Sequence, residues 1–222
     1  MIKLVIALAA VILAWLVWRQ WSARRRAAFI DQYPLTGILD QRLAARRPEL
    51  TPEQRAEVLA GLRDYFQICH RAGRRMVAMP SQAVDDAWHE FILFTRHYAR
   101  FCQGAFGRFL HHTPAEAMHS PTQASDGIKR AWRLACAREG IDPRKPQRPP
   151  RLFAMDAALL IAGGFIYHLD CLAAGRDGAT GAGLCASHIG CGSGCSGDSG
   201  SSDGDGGGDG GGGGDGGGCG GD

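Results

Sequence analysis

From Leu4 to Trp18 the chain reads LVIALAAVILAWLVW without one polar residue. A helix apolar on every side must be covered all round or sit in lipid. With Ile2 and the aliphatic stems of Lys3 and Arg19, the run approaches the length needed to span a bilayer. Trp15, Trp18 and Trp21 mark its exit, and Arg24, Arg25 and Arg26 follow. A cleaved signal peptide places its charge ahead of the apolar core and small residues at the cleavage site, so this order predicts an uncleaved single-pass anchor. The arginines outweigh Lys3 and the amino terminus, which predicts an inner-membrane protein with its body in the cytoplasm. A buried or interfacial helix is the alternative.

The other end limits how much chain can fold. Most of the 32 glycines lie beyond Gly175. Glycine runs with aspartate bury too little apolar surface to offset the entropy of ordering them, which predicts a disordered acidic tail over 175–222. The tail has no fixed repeat period, so neither a collagen helix nor a calcium-binding β-roll is expected. Arg176 is the last basic residue, and seven aspartates follow it, so the net charge of +3 combines a basic body with an acidic end. The basic residues form no Lys/Arg stripe and no nucleic-acid motif, and a nucleic-acid partner is not expected. In a reducing cytoplasm Cys69, Cys102, Cys136 and Cys171 are expected as small buried side chains rather than disulfide partners.

Between the ends the pattern is helical throughout, and the expected fold class is all-α: an anchor over 1–26, a juxtamembrane connector over 27–50 and a helical bundle over 51–141. Thr51-Pro52-Glu53-Gln54 supplies an N-cap, a proline at the first helical position and the glutamine of a capping box. Val58, Leu59, Leu62, Tyr65, Phe66 and Cys69 then recur at helical spacing as far as Gly73. A later helix over about 123–139 carries Ile128, Trp132, Leu134 and Cys136, with Gly140 as its stop. The Pro/Arg-rich stretch 142–151 reads as a linker. The apolar stretch 152–174 is interrupted by Asp156, His168 and Asp170, and is expected as a helix docked on the bundle, with a second membrane span as the alternative.

Pro80–Pro114, PSQAVDDAWHEFILFTRHYARFCQGAFGRFLHHTP, concentrates the chemistry. Read as one helix from Ser81 to Cys102, it places Val84, Trp88, Phe91, Thr95, Tyr98 and Cys102 on the core stripe, with Asp86, Glu90, His97 and Arg100 on a solvated face. Asp85 and His89, spaced i and i+4, share an edge where a carboxylate can orient an imidazole. Gly104 and Gly107 turn the chain and bring His111 and His112 back towards that edge. His89, His111 and His112, with Asp85 as ligand or orienting partner, form a candidate site for a transition metal such as zinc or iron. In the alternative reading His89 and Asp85 are a structural strut and the other two histidines cap a loop.

The run VDDAWHEFILFTRHYARFC followed by FGRFLHHTP resembles the helical domain of bacterial relatives of the glycine-rich domain-containing protein family, with the D-x-x-W-H core carried by Asp85, Trp88 and His89. The likeness covers roughly Thr51 to Glu139. It implies an α-helical domain and a glycine-rich C-terminus, and it brings no settled activity.

The tail has its own candidate set. Cys185, His188, Cys191 and Cys195 stand at C-x2-H-x2-C-x3-C spacing, short enough for one tetrahedral ion to collect them. Three functions follow as expectations: a membrane-tethered binding or scaffold protein with a protein partner, a metal-dependent enzyme using His89, His111 and His112, or a Cys/Gly tail that is itself modified or loaded with metal.

Overall fold

The computed structural model describes residues 1–112, 121–169, 184–185 and 189. The fold is all-α, as expected. Helix α1 (Ile2–Gln32) is continuous from the apolar run through the arginines. Its first part is exposed on every side, and the helix is long and apolar enough to cross a membrane. Its last part belongs to the body, where Ile30 is fully buried. The helix ends because Tyr33 precedes Pro34 and is driven to extended backbone.

Helix α2 (Leu35–Arg46) corrects the expectation of a connector. Leu35, Leu39 and Leu43 recur every fourth residue and are completely buried, each contributing about 2 kcal/mol by removal from water. Polar residues between them mask this three-leucine stripe in the sequence.

Helix α3 (Pro52–Ala72) is the centre of the bundle and touches α1, α2 and the later helices. Its capping box forms as the sequence predicts: the Gln54 N–H donates to Thr51 Oγ1 at 3.3 Å, and the Thr51 N–H to Gln54 Oε1 at 2.9 Å. Gln67 ties it to α1 by donating to Ala27 O and Asp31 Oδ1, both at 2.8 Å.

The expected helix from Ser81 to Cys102 is two. Helix α4 (Gln82–Leu93) stops at Phe94, where ψ turns to +58°, and α5 (Thr95–Phe106) restarts at a new angle. Thr95, placed on the core stripe by uninterrupted counting, is exposed. The break lets Phe91, Tyr98 and Phe101 meet as one aromatic cluster with Phe66, with Phe66 and Phe101 ring centres 4.7 Å apart.

Asp86 is a second correction. Instead of lying on a solvated face it is 2% exposed, and Arg47 Nη2 and Nε reach its carboxylate at 2.6 and 2.7 Å while Arg46 adds a contact at 3.3 Å. The two arginines at the end of α2 neutralise it, which is what allows the carboxylate inside. Glu90 on the same helix is met by Arg42 at 2.9 Å.

Helix α6 (Pro121–Glu139) buries Trp132 and Cys136 and ends at Gly140, whose φ of +67° lets the Ile141 N–H reach Cys136 O at 2.9 Å. Residues 142–150 are tied to the bundle, since Trp132 Nε1 donates to Pro143 O at 3.1 Å and Arg148 bonds Glu139 at 2.6 Å. The helix expected over 152–174 is short. Helix α7 covers Arg151–Ala158, and the chain then turns with φ of +53° at Leu160 and +71° at Gly163. Leu152, Phe153 and Met155 are buried against the bundle.

Asp156 explains that short helix. Its buried carboxylate accepts from Ser81 Oγ at 2.6 Å, the Gln82 N–H at 2.7 Å, the Ala83 N–H at 3.2 Å and the Phe165 N–H at 2.9 Å. It thus caps the positive end of α4 and pins the turn after α7. Strand β1 (Tyr167–His168) pairs in parallel with β2 (Leu184–Cys185) over two residues. Ile189 is 7% exposed, so the fold reaches past position 175, where the tail was expected to begin. Residues 190–222 lie outside the described residues.

Candidate metal centre

The site is assembled by two pieces of chain. Helix α4 starts on a double cap, with Ser81 Oγ accepting from the Val84 N–H at 3.2 Å and Asp156 covering the preceding donors. This fixes the first turn, and with it Asp85 and, one turn on, His89. The second piece is the segment after α5. Gly107 adopts φ +66° and ψ +17°, and an added Cβ would lie 2.6 Å from the Arg26 guanidinium, so the turn needs glycine for both conformation and space. Arg26 Nη1 donates to Phe106 O at 3.0 Å and holds that turn from α1.

A relay then sets the height of the returning strand of chain. Trp88 Nε1–H donates to Tyr98 Oη at 3.1 Å, and Tyr98 O–H donates to Leu110 O at 2.5 Å. Burial raises the Tyr98 phenol far above its ordinary range, so it remains a donor at any ordinary pH. Two residues beyond Leu110, the His112 ring meets the Trp88 ring edge-on at 4.5 Å.

There His112 Nε2 lies 2.8 Å from Asp85 Oδ1, His89 Nδ1 lies 3.6 Å from Asp85 Oδ2, and the two imidazole rings are 4.4 Å apart. One donor atom from each of Asp85, His89 and His112 falls within 4.8 Å of the other two. Side-chain exposures of 19%, 44% and 12% make His112 the inner wall and His89 the solvent-facing one. Two imidazoles and a carboxylate suit borderline divalent ions such as zinc and iron, which take such ligands at about 2.0–2.2 Å. Without an ion, Asp85 accepts the Nε2 proton of His112. An ion held there would turn the hydrogen-bonded pair into co-ligands through His112 Nε2 and the Asp85 carboxylate, the one ring proton of neutral His112 then being carried on Nδ1.

The structure brings three of the four sequence-nominated residues of the body together and leaves out the fourth. His111 is exposed, its ring against Phe109 at 4.9 Å. Successive residues in extended chain point to opposite sides, so His111 and His112 cannot both face α4. Asp85, expected as a ligand or orienting partner, meets both remaining imidazoles. Of the tail set, Cys185 lies in β2, and His188, Cys191 and Cys195 lie outside the described residues. Sequence reasoning missed Tyr98 and Arg26 as the residues that set the second piece. The signal available for Tyr98 was a phenol on a core stripe, which requires a hydrogen-bond partner.

A family model described as UCP032817-like matches residues 25–189. The match begins within the arginine cluster after the apolar run and ends at buried Ile189. No curated protein and no solved structure matches the chain.

Proposed function

The chain belongs to the UCP032817-like family, and from that premise we propose that it is a membrane-anchored helical binding protein holding a divalent first-row metal on Asp85, His89 and His112. The observation that carries the reading is the convergence of three metal-competent side chains from α4 and the segment after α5. Membrane anchoring is supported by the exposed apolar part of α1 and its tryptophan belt, and the cytoplasmic placement of the body by Arg24, Arg25 and Arg26. The relationship to the glycine-rich domain-containing proteins is part of the same proposal. Its three motif residues meet at the site, Asp85 and His89 as donors and Trp88 as the surface on which His112 rests. A protein partner recruited by the body, with the tail extending the reach, completes the reading.

A second reading, a metal-dependent enzyme, is favoured by one feature. An ion held by three protein ligands would keep a coordination position for water or substrate, and His89, the most exposed of the three at 44%, would give solvent access to it.

Elemental analysis of the full-length protein in detergent, prepared without affinity histidines, tests the proposal. Stoichiometric zinc or iron in the wild type, lost in His89→Ala and in Asp85→Asn, is the expected result. His89 is exposed enough for its alanine variant to keep the fold. A metal-free wild type, or unchanged content in His89→Ala, sinks the assignment. Metal lost instead in Cys185→Ser/Cys191→Ser/Cys195→Ser moves the site to the tail. Hydrolysis of ester or phosphoester probes that depends on His89 would select the enzyme reading.

A further inference from the structure

Three separate stretches of chain meet at the end of the body nearest the apolar part of α1. Helix α3 runs antiparallel to α1: Gln67 bonds Ala27 and Asp31, and one turn later His70 Nε2 reaches Ala23 O at 3.1 Å. The end of α5 arrives at the same level, through Arg26 and Phe106 O. Arg108 crosses between the two, donating from Nη2 to Gly73 O at 2.7 Å. Trp21, the last residue of the aromatic belt, lies only two positions before Ala23, roughly 3 Å along the axis.

Among the described residues the charged side chains at the level of Ala23, His70 and Phe106 are arginines; the first acid of α1, Asp31, lies about two turns further into the body. Residues 1–30, 65–84 and 94–112, which supply this end, contain no aspartate or glutamate. They contain Arg24, Arg25 and Arg26 on α1, Arg71 and Arg74 at the end of α3, and Arg108. Arg24, Arg25, Arg71 and Arg74 are exposed, and none has a carboxylate partner among the described residues. By contrast Arg42, Arg46, Arg47, Arg55, Arg138, Arg148 and Arg151 all meet acids.

We propose that Arg24, Arg25, Arg71 and Arg74 form a collar that binds the headgroups of anionic phospholipids, so that the body docks on the bilayer surface as well as being tethered to it. The inference rests on the anchor reading and adds a lipid partner to it. The collar differs from the ordinary basic flank of a membrane helix because half of it comes from the last turn of α3 and the turn after it, some 45 residues further along the chain. A guanidinium forks onto phosphate oxygens, and each basic residue near an anionic surface changes association about five-fold.

The test reconstitutes the full-length protein in phosphatidylcholine bilayers carrying a trace of spin-labelled phosphatidylglycerol or spin-labelled phosphatidylcholine. The motionally restricted fraction of each label gives their relative association. The wild type should prefer phosphatidylglycerol, with the preference falling at high salt and dropping about five-fold per arginine removed in Arg71→Gln/Arg74→Gln. Those side chains are exposed, and an unchanged melting temperature checks that the variant folds. Equal association of the two lipids, or a preference that Arg71→Gln/Arg74→Gln leaves unchanged, overturns the collar while leaving the anchor standing. Failure of the protein to remain with the bilayers overturns the anchor, and the collar with it.

Discussion

Tyr98 accepts the indole N–H of Trp88 at 3.1 Å across the helix break at Phe94, and donates its own O–H to Leu110 O. The break between α4 and α5 and the return of the chain towards Asp85 and His89 are therefore secured by one phenol. Tyr98→Phe leaves a buried N–H without its acceptor and releases Leu110. The expected cost is about 2 kcal/mol in urea unfolding. Cobalt affinity should fall as well, since His112 loses its support. Retention of full affinity at reduced stability would remove the relay from the site.

Asp86 and Glu90 sit one turn apart on α4 and meet arginines of α2, at very different depths. Asp86→Asn removes the charge that two guanidiniums neutralise and should cost about 2–3 kcal/mol. Glu90→Gln breaks a pair whose arginine is half in water and should cost under about 1 kcal/mol. Chemical denaturation of the two variants side by side checks the order.

The His70 imidazole is held below its ordinary value, chiefly by burial and further by the Arg26 charge, against the opposing pull of Ala23 O. As pH falls through the unfolded-chain value near about 6.5, the unfolded chain takes up the proton before the folded one does. Stability from this residue is thus full above that pH, declines as pH falls, and levels off below the folded value. The melting temperature of the wild type should drop more steeply between about pH 7.5 and about pH 5.5 than that of His70→Gln. Parallel curves would exclude His70 as a source of acid sensitivity.

Burial pushes the Cys69 thiol up to about 12 and the Cys136 thiol to about 11, and raises Cys102 as well. At about pH 8 the thiolate fraction of Cys69 and Cys136 is on the order of one in a thousand or less. Mass mapping after brief iodoacetamide treatment should find all three unmodified in the native protein and alkylated in urea. Rapid native modification of any of them would show that its helix opens.

Features written within one turn of chain were legible in the sequence. The Thr51 capping box, the stops at Gly73 and Gly140 and the Asp85/His89 edge are all local, and spacing alone exposes them. The break at Phe94 was not, because no glycine or proline marks it and its reward is an aromatic cluster that joins Phe91 of α4 and Phe101 of α5 to Phe66 of α3 and to Tyr33. The burial of Asp86 depends on arginines about forty residues away, and the shortening of α7 on a carboxylate that caps a different helix. The choice between His111 and His112 turned on which of two neighbouring side chains faces α4, and periodicity was silent once the helix had ended.

Because α1 runs unbroken from its apolar part into the packed body, no loop separates the two. A helix advances about 100° per residue, so one alanine inserted between Trp21 and Ala23 would swivel the body about the axis of its own stem. In the anchored state proposed above, the bearing of the face formed by Asp85, His89 and His112 over the bilayer is thus written in the residue count of a single helix.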